Sequence, residues 1–353
     1  MLSQEKYSIL NDIPVVVLNW NGFSDTKAAV NSLLSQNLLA KVVLVDNGSE
    51  PDEIAKLKQW SADIPQVKLK LNNNNLGFAK AHNQVFKDLE EEGFRYVACL
   101  NNDAIADKNW LENLYMAGEN MDASMLSSLM LMSSDNDRID NVGHQILSTG
   151  EIFPAGSGEL TRSYKQHKNS VGPCAGACLY RLEMLSQIGY FDERFFVGYE
   201  DAELGLRAWL CGYNCHHVEE ARVSHKMSTS IGKIRKASYL SEIQSHIFYT
   251  WFKLMPITIV FRNLPGMIVK YSVVLMIDLL LFRFKFLKVM VNGIRLTILN
   301  WSEIKRARKT FYLEQRVTRS NSEIIAMLTP FLPFDARRFW KHIVLGKKSA
   351  LEE

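Results

Sequence analysis

No Gly-x-Gly-x-x-Gly follows the first apolar run of this 353-residue chain, and no Gly-x-x-x-x-Gly-Lys-Ser/Thr loop occurs in it. Both usual glycine-rich cradles for phosphate are therefore excluded. Cysteine is scarce, and five cannot all pair. Cys174/Cys178 and Cys211/Cys215 each enclose three residues, and His216-His217 follow. That spacing leaves zinc open. Cys178 falls in an expected strand, however, and Cys211 late in an expected helix, which suits reduced core thiols better. The opening MLSQEKYSILNDIP lacks the apolar h-region of a signal peptide, so none is expected. Long apolar runs are missing too. Leu254 to Phe282 is interrupted by Arg262, Lys270 and Asp278, short of the roughly 20 residues a spanning helix needs.

What is present begins with composition: 47% hydrophobic and 22% charged residues describe a globular chain with a sizeable core. The formal net charge of +3 hides a split. Residues 1–232 carry 20 Lys+Arg against 30 Asp+Glu, and residues 233–353 carry 21 against 8. Such a split suggests separate partners for the two parts, and an anionic membrane surface or nucleic acid suits the basic one.

Ile13 to Leu18 is a β-branched run closed by Asn19-Trp20-Asn21-Gly22. A helical pattern follows, with Ser24 or Asp25 as its cap. Lys41 to Asp46 reads as a second buried strand, closed by Asn47-Gly48-Ser49. Residues 51–60 read as a helix, 66–71 as an alternating strand, and about 78–92 as another helix. Tyr96 to Leu100 is a fourth strand that breaks into Asn101-Asn102-Asp103. Strands alternating with helices predict a mostly parallel sheet covered on both faces. The polar ends at Asn19, Asp46, Asn72–Asn75 and Asn101–Asp103 then share one rim, where open α/β sheets bind ligands. A carboxylate flanked by amides is a hard-oxygen site suited to a divalent ion holding phosphates, although Asn-Asn-Asp also simply makes a turn.

From about 123 to 172 the alternation stops, which fits either irregular β structure and loops laid over the site or an ordinary surface insertion. Residues 173–180, PCAGACLY, are small, as where backbone comes close to a ligand or a strand. After a helix over Leu182–Ile188, Tyr199-Glu200-Asp201 opens a helix running to Leu210. Acids there are ordinary helix-start residues, and Glu203 with Arg207 is an ordinary i,i+4 pair. The preceding aromatics, Phe195, Phe196 and Tyr199, could nevertheless exclude water and raise a carboxylate toward useful base strength. A strand near 214–223 delivers His225.

Taken in order, VVVLNWNG, VVLVDNGS, NNLGFAKAHN, LNNDA, CAGACLYR, GYFDERFFVGYEDAELGLRAWLCGY and SHKMS resemble the inverting nucleotide-sugar glycosyltransferases of the GT-A type. Within glycosyltransferase family 2, the bacterial rhamnosyltransferase-like enzymes of surface-polysaccharide synthesis are most similar. The resemblance covers residues 13 to about 232. It implies an α/β, Rossmann-like, mostly parallel sheet with helices on both faces, followed by a helical C-terminal region. It divides the chain into a catalytic domain over 1–232, with a nucleotide-binding half (13–121) and an acceptor half (122–232), and a basic helical region over 233–353. By the same resemblance Asn19, Asp46, Asn75, Gly77, Asn83, Asn101 and Asn102 line the nucleotide. Asp103 and His225 hold Mg²⁺ or Mn²⁺. Asp201, with Glu200 beside it, is the catalytic base. Asn101 stands where the family has the first aspartate of Asp-x-Asp.

The implied donor is a nucleotide-diphosphate sugar, with dTDP-rhamnose the family's suggestion. The acceptor is lipid-linked or a saccharide, and no nucleic acid is expected. A sugar-phosphate nucleotidyltransferase shares the architecture but needs a basic glycine-rich loop after its first strand, where here nothing basic precedes Lys27. A membrane-bound module without chemistry is the other alternative. After residue 232 the likeness thins. LFRFKFLKVMVNGIRLTIL (281–299) mixes apolar and basic residues as interfacial helices do. Lys305, Arg306, Arg308 and Lys309 form a patch suited to anionic head groups. The expected location is cytoplasmic, peripheral at the inner face of the membrane; a helical cap with a solvated basic face is the alternative.

Overall fold

The computed structural model describes residues 13–121, 123–164, 170–226 and 237–332. Residues 1–12 of the stretch read for a signal peptide and the Met227-Ser228 end of SHKMS lie outside them. Two compact units are present.

The first unit, Met1–His144 with Pro154–Tyr239 and Tyr312–Thr318, is built on a nine-stranded sheet. Its path begins β3 (Val67–Asn72), β2 (Ala40–Asn47), β1 (Ile13–Asn19), β4 (Tyr96–Leu100). It continues β10 (Ala177–Arg181), β6 (Met125–Met132), β11 (Cys215–His225), β5 (Ala104–Ala106), with β7 (Asp135–Asn141) paired to β6. β1, β2, β3, β4, β6 and β11 run one way, and β5, β7 and β10 run against them. Val15, Val16 and Val17 are all fully enclosed, as a strand covered on both faces requires. Helices α1 (Phe23–Leu34), α2 (Pro51–Ser61), α3 (Phe78–Glu91) and α4 (Trp110–Asn120) complete the alternation. Two cores result. One gathers Val15, Val17, Leu44, Trp110 and Leu179; the other gathers Val16, Val43, Phe86, Cys178 and Leu204.

Register explains the polar rim. Asn19 pairs with Asp46, Asp46 with Leu71, and Asn47 with Asn72, so three strands end level. Two expectations fail locally. Neither Ser24 nor Asp25 caps α1: Gly22 is the cap residue, and the Phe23 N–H is taken by Glu53 Oε2 at 2.9 Å. The SMLSSLMLM stretch is not irregular either; it is β6, buried along nearly its whole length between β10 and β11. Its Ser127 and Ser128 are enclosed, and the Ser128 hydroxyl accepts from Trp110 Nε1 at 2.8 Å, which makes a polar residue acceptable there.

The second unit is Gln145–Phe153, Leu240–Phe311 and the chain from Arg319. Its helices are α7 (Ala237–Leu254), α8 (Ile257–Leu280), α9 (Phe284–Leu299), α10 (Trp301–Glu314) and α11 (Asn321–Met327), with part of a hairpin of β8 (His144–Ile146) and β9 (Ile152–Pro154). Polar interruptions do not break α8. It is continuous over 24 residues, with Pro265 inside, and by length and composition alone could cross a membrane. Two of the charges that interrupt it are paired: Lys270 with Glu151 at 2.9 Å, and Asp278 with Arg283 at 3.7 Å. The rest of its surface exposes Phe261, Ile268, Val269, Val273, Met276, Leu279 and Leu280. In the basic patch Lys305, Arg306 and Lys309 are exposed. Arg308 instead donates to the carbonyls of Phe252 and Met255, at 2.9 and 2.6 Å, and closes the end of α7.

Candidate active site

At the rim, Asn19 Nδ2 donates to Asp46 Oδ1 at 2.8 Å and to Ser49 Oγ at 3.2 Å. Asn19 Oδ1 accepts from Thr26 Oγ1 at 2.6 Å. Asp46 is wholly enclosed and also receives the hydroxyl and N–H of Ser49. These two side chains therefore set the shape of the rim. Asn47 links the next loop, donating to Asn75 Oδ1 at 2.9 Å and accepting from Asn72 Nδ2 at 3.0 Å and Leu76 N–H at 3.1 Å. Its central position was not foreseen, since Asn-Gly-Ser signals only a turn. Gly77 has φ +80°, and a Cβ there would lie 2.4 Å from the Phe196 carbonyl oxygen. That carbonyl takes the Phe78 N–H at 2.6 Å. Asn83 holds the same loop by exchanging hydrogen bonds with Phe191, at 2.9 and 3.1 Å.

Asn101, Asn102 and Asp103 follow β4. The Asn101 N–H donates to the Gly176 carbonyl at 2.8 Å, and Asn102 Nδ2 donates to Thr26 Oγ1 at 3.1 Å. Gly176 is crowded: a Cβ would come 3.0 Å from Asn101 Nδ2, which would have to give by a few tenths of an ångström. The register of β11 against β5 sets His225 opposite Ala104, next to Asp103. His225 Nε2 lies 3.2 Å from Asp103 Oδ1, at ion-pair distance though outside strict hydrogen-bond geometry. On the other side of the ring, Nδ1 is 2.7 Å from Asp140 Oδ2. Burial opposes a charge on this imidazole, but the carboxylates of Asp103 and Asp140 outweigh it and push its pKa up to about 10. Two buried carboxylates around one imidazole form a site for positive charge. A divalent ion that displaced the Nε2 proton would find one nitrogen and one hard oxygen in His225 Nε2 and Asp103, with the Nδ1 proton held against Asp140.

Asp201 sits in the first turn of α6 (Glu200–Leu210), where the helix dipole favours a carboxylate. Oδ2 accepts from the Ala175 N–H at 3.0 Å and Oδ1 from the Ala202 N–H at 2.7 Å. Tyr199, at φ +83°, turns the chain into the helix. Arg207 fixes it further along, pairing with Glu203 at 3.0 Å and donating to the carbonyls of Gly189 and Tyr190 at 2.8 and 2.6 Å. This pair is buried, and so is more than the ordinary surface pair its spacing suggests. The carboxyl that burial lifts is Glu200: enclosure first, then the Asp201 charge, push it up to about 8. Glu200 thus holds a proton at neutral pH beside Asp201.

His144 and Asp140 were missed altogether. His144 Nε2 is 3.8 Å from Asp201 Oδ2, and with the Cys174 thiol these groups lie within 4.8 Å of one another. Burial, with Asp201 next, pushes the Cys174 thiol well above its usual range, so it stays protonated. Cys178, Cys211 and Cys215 take no part in that group, and among the described residues the cysteines are free thiols. No signal within NDRIDN or VGHQI marks Asp140 or His144, because both come to the site only through tertiary packing.

The model of the family described as Glycosyl transferase family 2 matches residues 15–189. A low-salt glycan biosynthesis hexosyltransferase of Haloferax volcanii is 27% identical over 209 residues, 57% of this chain and 62% of the relative. An N-acetylglucosaminyl-diphospho-decaprenol L-rhamnosyltransferase of Mycobacterium tuberculosis is 26% identical over 250 residues, 63% of this chain and 78% of the relative. The chain thus spans less than two thirds of the Haloferax protein. Among solved structures, GalNAc-T7 with UDP, GalNAc and Mn²⁺ superposes with a TM-score of 0.53 at 16% identity, over 69% of this chain and 48% of that one. This likeness concerns the fold, which is of the GT-A type.

Proposed function

Because the chain carries a Glycosyl transferase family 2 domain, we propose that it is a metal-dependent, inverting glycosyltransferase of surface-glycan synthesis. Its donor is a nucleotide-diphosphate sugar, and its acceptor is lipid-linked. The likeness to the Mycobacterium rhamnosyltransferase makes dTDP-rhamnose the first donor to try. Residues 1–232 perform the chemistry, and the basic helical region over 233–353 rests peripherally on the cytoplasmic face of an anionic membrane.

One observation supports this most: Asn101, at the metal rim, and Asp201 bind neighbouring backbone groups, the Gly176 carbonyl and the Ala175 N–H. An inverting transfer needs a base close to where the donor's diphosphate leaves. Asp201 accepts the proton of the acceptor hydroxyl as that oxygen attacks the anomeric carbon from the face opposite the diphosphate. Glu200 keeps its own proton and adds no second negative charge. Asp103 and His225 hold Mg²⁺ or Mn²⁺, and Asp140 orients the imidazole. The ion's chemistry is to stabilise negative charge on the departing diphosphate. Asn101 contributes an amide where a carboxylate would add charge. Asn19, Asp46, Asn75, Gly77, Asn83 and Asn102 shape the nucleotide's cradle, and Asn47 joins them.

Thermal shift with dTDP-, UDP- and GDP-sugars, with and without Mn²⁺, tests the reading. One nucleotide should stabilise the chain only when metal is present, by about 2.7 kcal/mol at 100 times its Kd. The anomeric configuration of the product should be inverted. A retained anomer, or no nucleotide binding, would overturn the proposal.

A further inference from the structure

The second unit carries an apolar groove of about 360 Å³ between α7, α8, α9 and the start of α10. Phe252, Met267, Leu275, Ile294, Ile298 and Trp301 are among its walls. Three polar side chains also line it. Thr297 Oγ1 donates to the Gly293 carbonyl at 2.9 Å, and Tyr271 Oη donates to Glu151 Oε1 at 2.6 Å. With those two hydroxyls turned into the protein, only the exposed Ser272 and the Trp301 indole N–H are left to meet a sugar or a nucleotide. The groove suits hydrocarbon.

The groove does not end in water-seeking residues on every side. Ile268 and Ile298, in its walls, are 58% and 68% exposed, and they lead onto the apolar surface of α8 at Val273, Met276 and Leu279. At Trp301 the surroundings change. Lys305 lies one turn further along α10, about 6 Å by helical rise, and Arg306 and Lys309 are exposed beside it. Apolar length at one end and positive charge at the other match a hydrocarbon chain ending in phosphates.

We propose that this groove holds the membrane-proximal end of a polyprenyl chain, with the diphosphate of the lipid-linked acceptor facing Lys305, Arg306 and Lys309. This deepens the glycosyltransferase reading and rests on it for the acceptor. A branched isoprenoid fits aromatic and branched aliphatic walls, and a groove of this size takes a few isoprene units rather than a whole chain. The remainder stays in the bilayer.

The test uses the full chain with a benzophenone-bearing polyprenyl diphosphate, together with Ile294→Trp, which fills the groove, and Ser272→Lys, which places a charge at an exposed position in it. Crosslinks should map to peptides spanning 248–301 and fall severalfold in both variants. Both variants should need about tenfold more lipid-linked acceptor for half-saturation, while transfer to a short soluble saccharide and vesicle flotation stay at wild-type levels. Several results would overturn the proposal: unchanged crosslinking and saturation in both variants, equal competition by phosphatidylglycerol vesicles, flotation lost in step with binding, or a change of oligomeric state on filling the groove. If the wild type transfers no sugar to any acceptor, the glycosyltransferase reading fails, and the crosslinking arm still decides the groove.

Discussion

His225 Nδ1 lies 2.7 Å from Asp140 Oδ2, although 85 residues separate them. β7, which carries Asp140, pairs with β6, and β6 pairs on its other edge with β11, which carries His225. The contact therefore reaches across a core strand. An imidazole with a carboxylate behind it keeps its ring in place and its proton on the rear nitrogen. Asp140→Ala should weaken Mn²⁺ binding about 10–100-fold, and Asp140→Asn should weaken it less. Direct Mn²⁺ titration of the free protein is the readout, and wild-type affinity in both variants would take Asp140 out of the metal site.

Asp201→Asn preserves shape and removes basicity. Turnover should drop by roughly 10²–10⁴-fold with donor affinity near wild type. Near-normal turnover would hand the role of base to another group.

Glu200 makes stability depend on pH. Its folded pKa, about 8, lies above the ordinary 4.5. At a pH below 4.5 both states hold the proton, and the stability is fully present. As pH rises from there through 8 the unfolded chain releases its proton first, so this group favours unfolding progressively. Glu200→Gln has no proton to lose. Its melting temperature relative to wild type should therefore climb between pH 5 and pH 8, and parallel melting curves over that range would contradict this account.

Charge reversal at Lys305, Arg306 and Lys309 should weaken flotation with anionic vesicles, by about 1 kcal/mol per residue near the surface. Arg308 belongs to a different experiment. It is held by the Phe252 and Met255 carbonyls, so Arg308→Ala should lower the melting temperature whether or not vesicles are present. Flotation indifferent to the three exposed residues and to lipid charge would return the region to a helical cap.

The periodic parts of this fold are legible from local chemistry. The β-branched run at Ile13–Leu18, the helix over Leu182–Ile188 and the small residues at 173–180 each read correctly, because burial pattern and backbone crowding are properties of short segments. β6 was not legible. Ser127 and Ser128 make it look like loop, and only Trp110, from another element, gives Ser128 a reason to be inside. The candidate site divides the same way. Asp103, Asp201 and His225 stand in recognisable motifs, whereas Asp140 and His144 acquire meaning only from neighbours far along the chain. The interrupted run at 254–282 looked too polar for an unbroken apolar helix because the partners of two of its charges, Glu151 and Arg283, lie outside it.

Ala175 and Gly176 are consecutive residues, and one anchors Asp201 while the other anchors Asn101. Consecutive Cα atoms across a trans peptide are about 3.8 Å apart. The offset between the proposed base and the donor rim is thus gauged by a covalent ruler, which does not stretch when side-chain packing changes. Loops around the site can diverge to admit other sugars without altering that offset. Lengthening the ruler by one inserted residue between 175 and 176 would harm transfer to every acceptor alike.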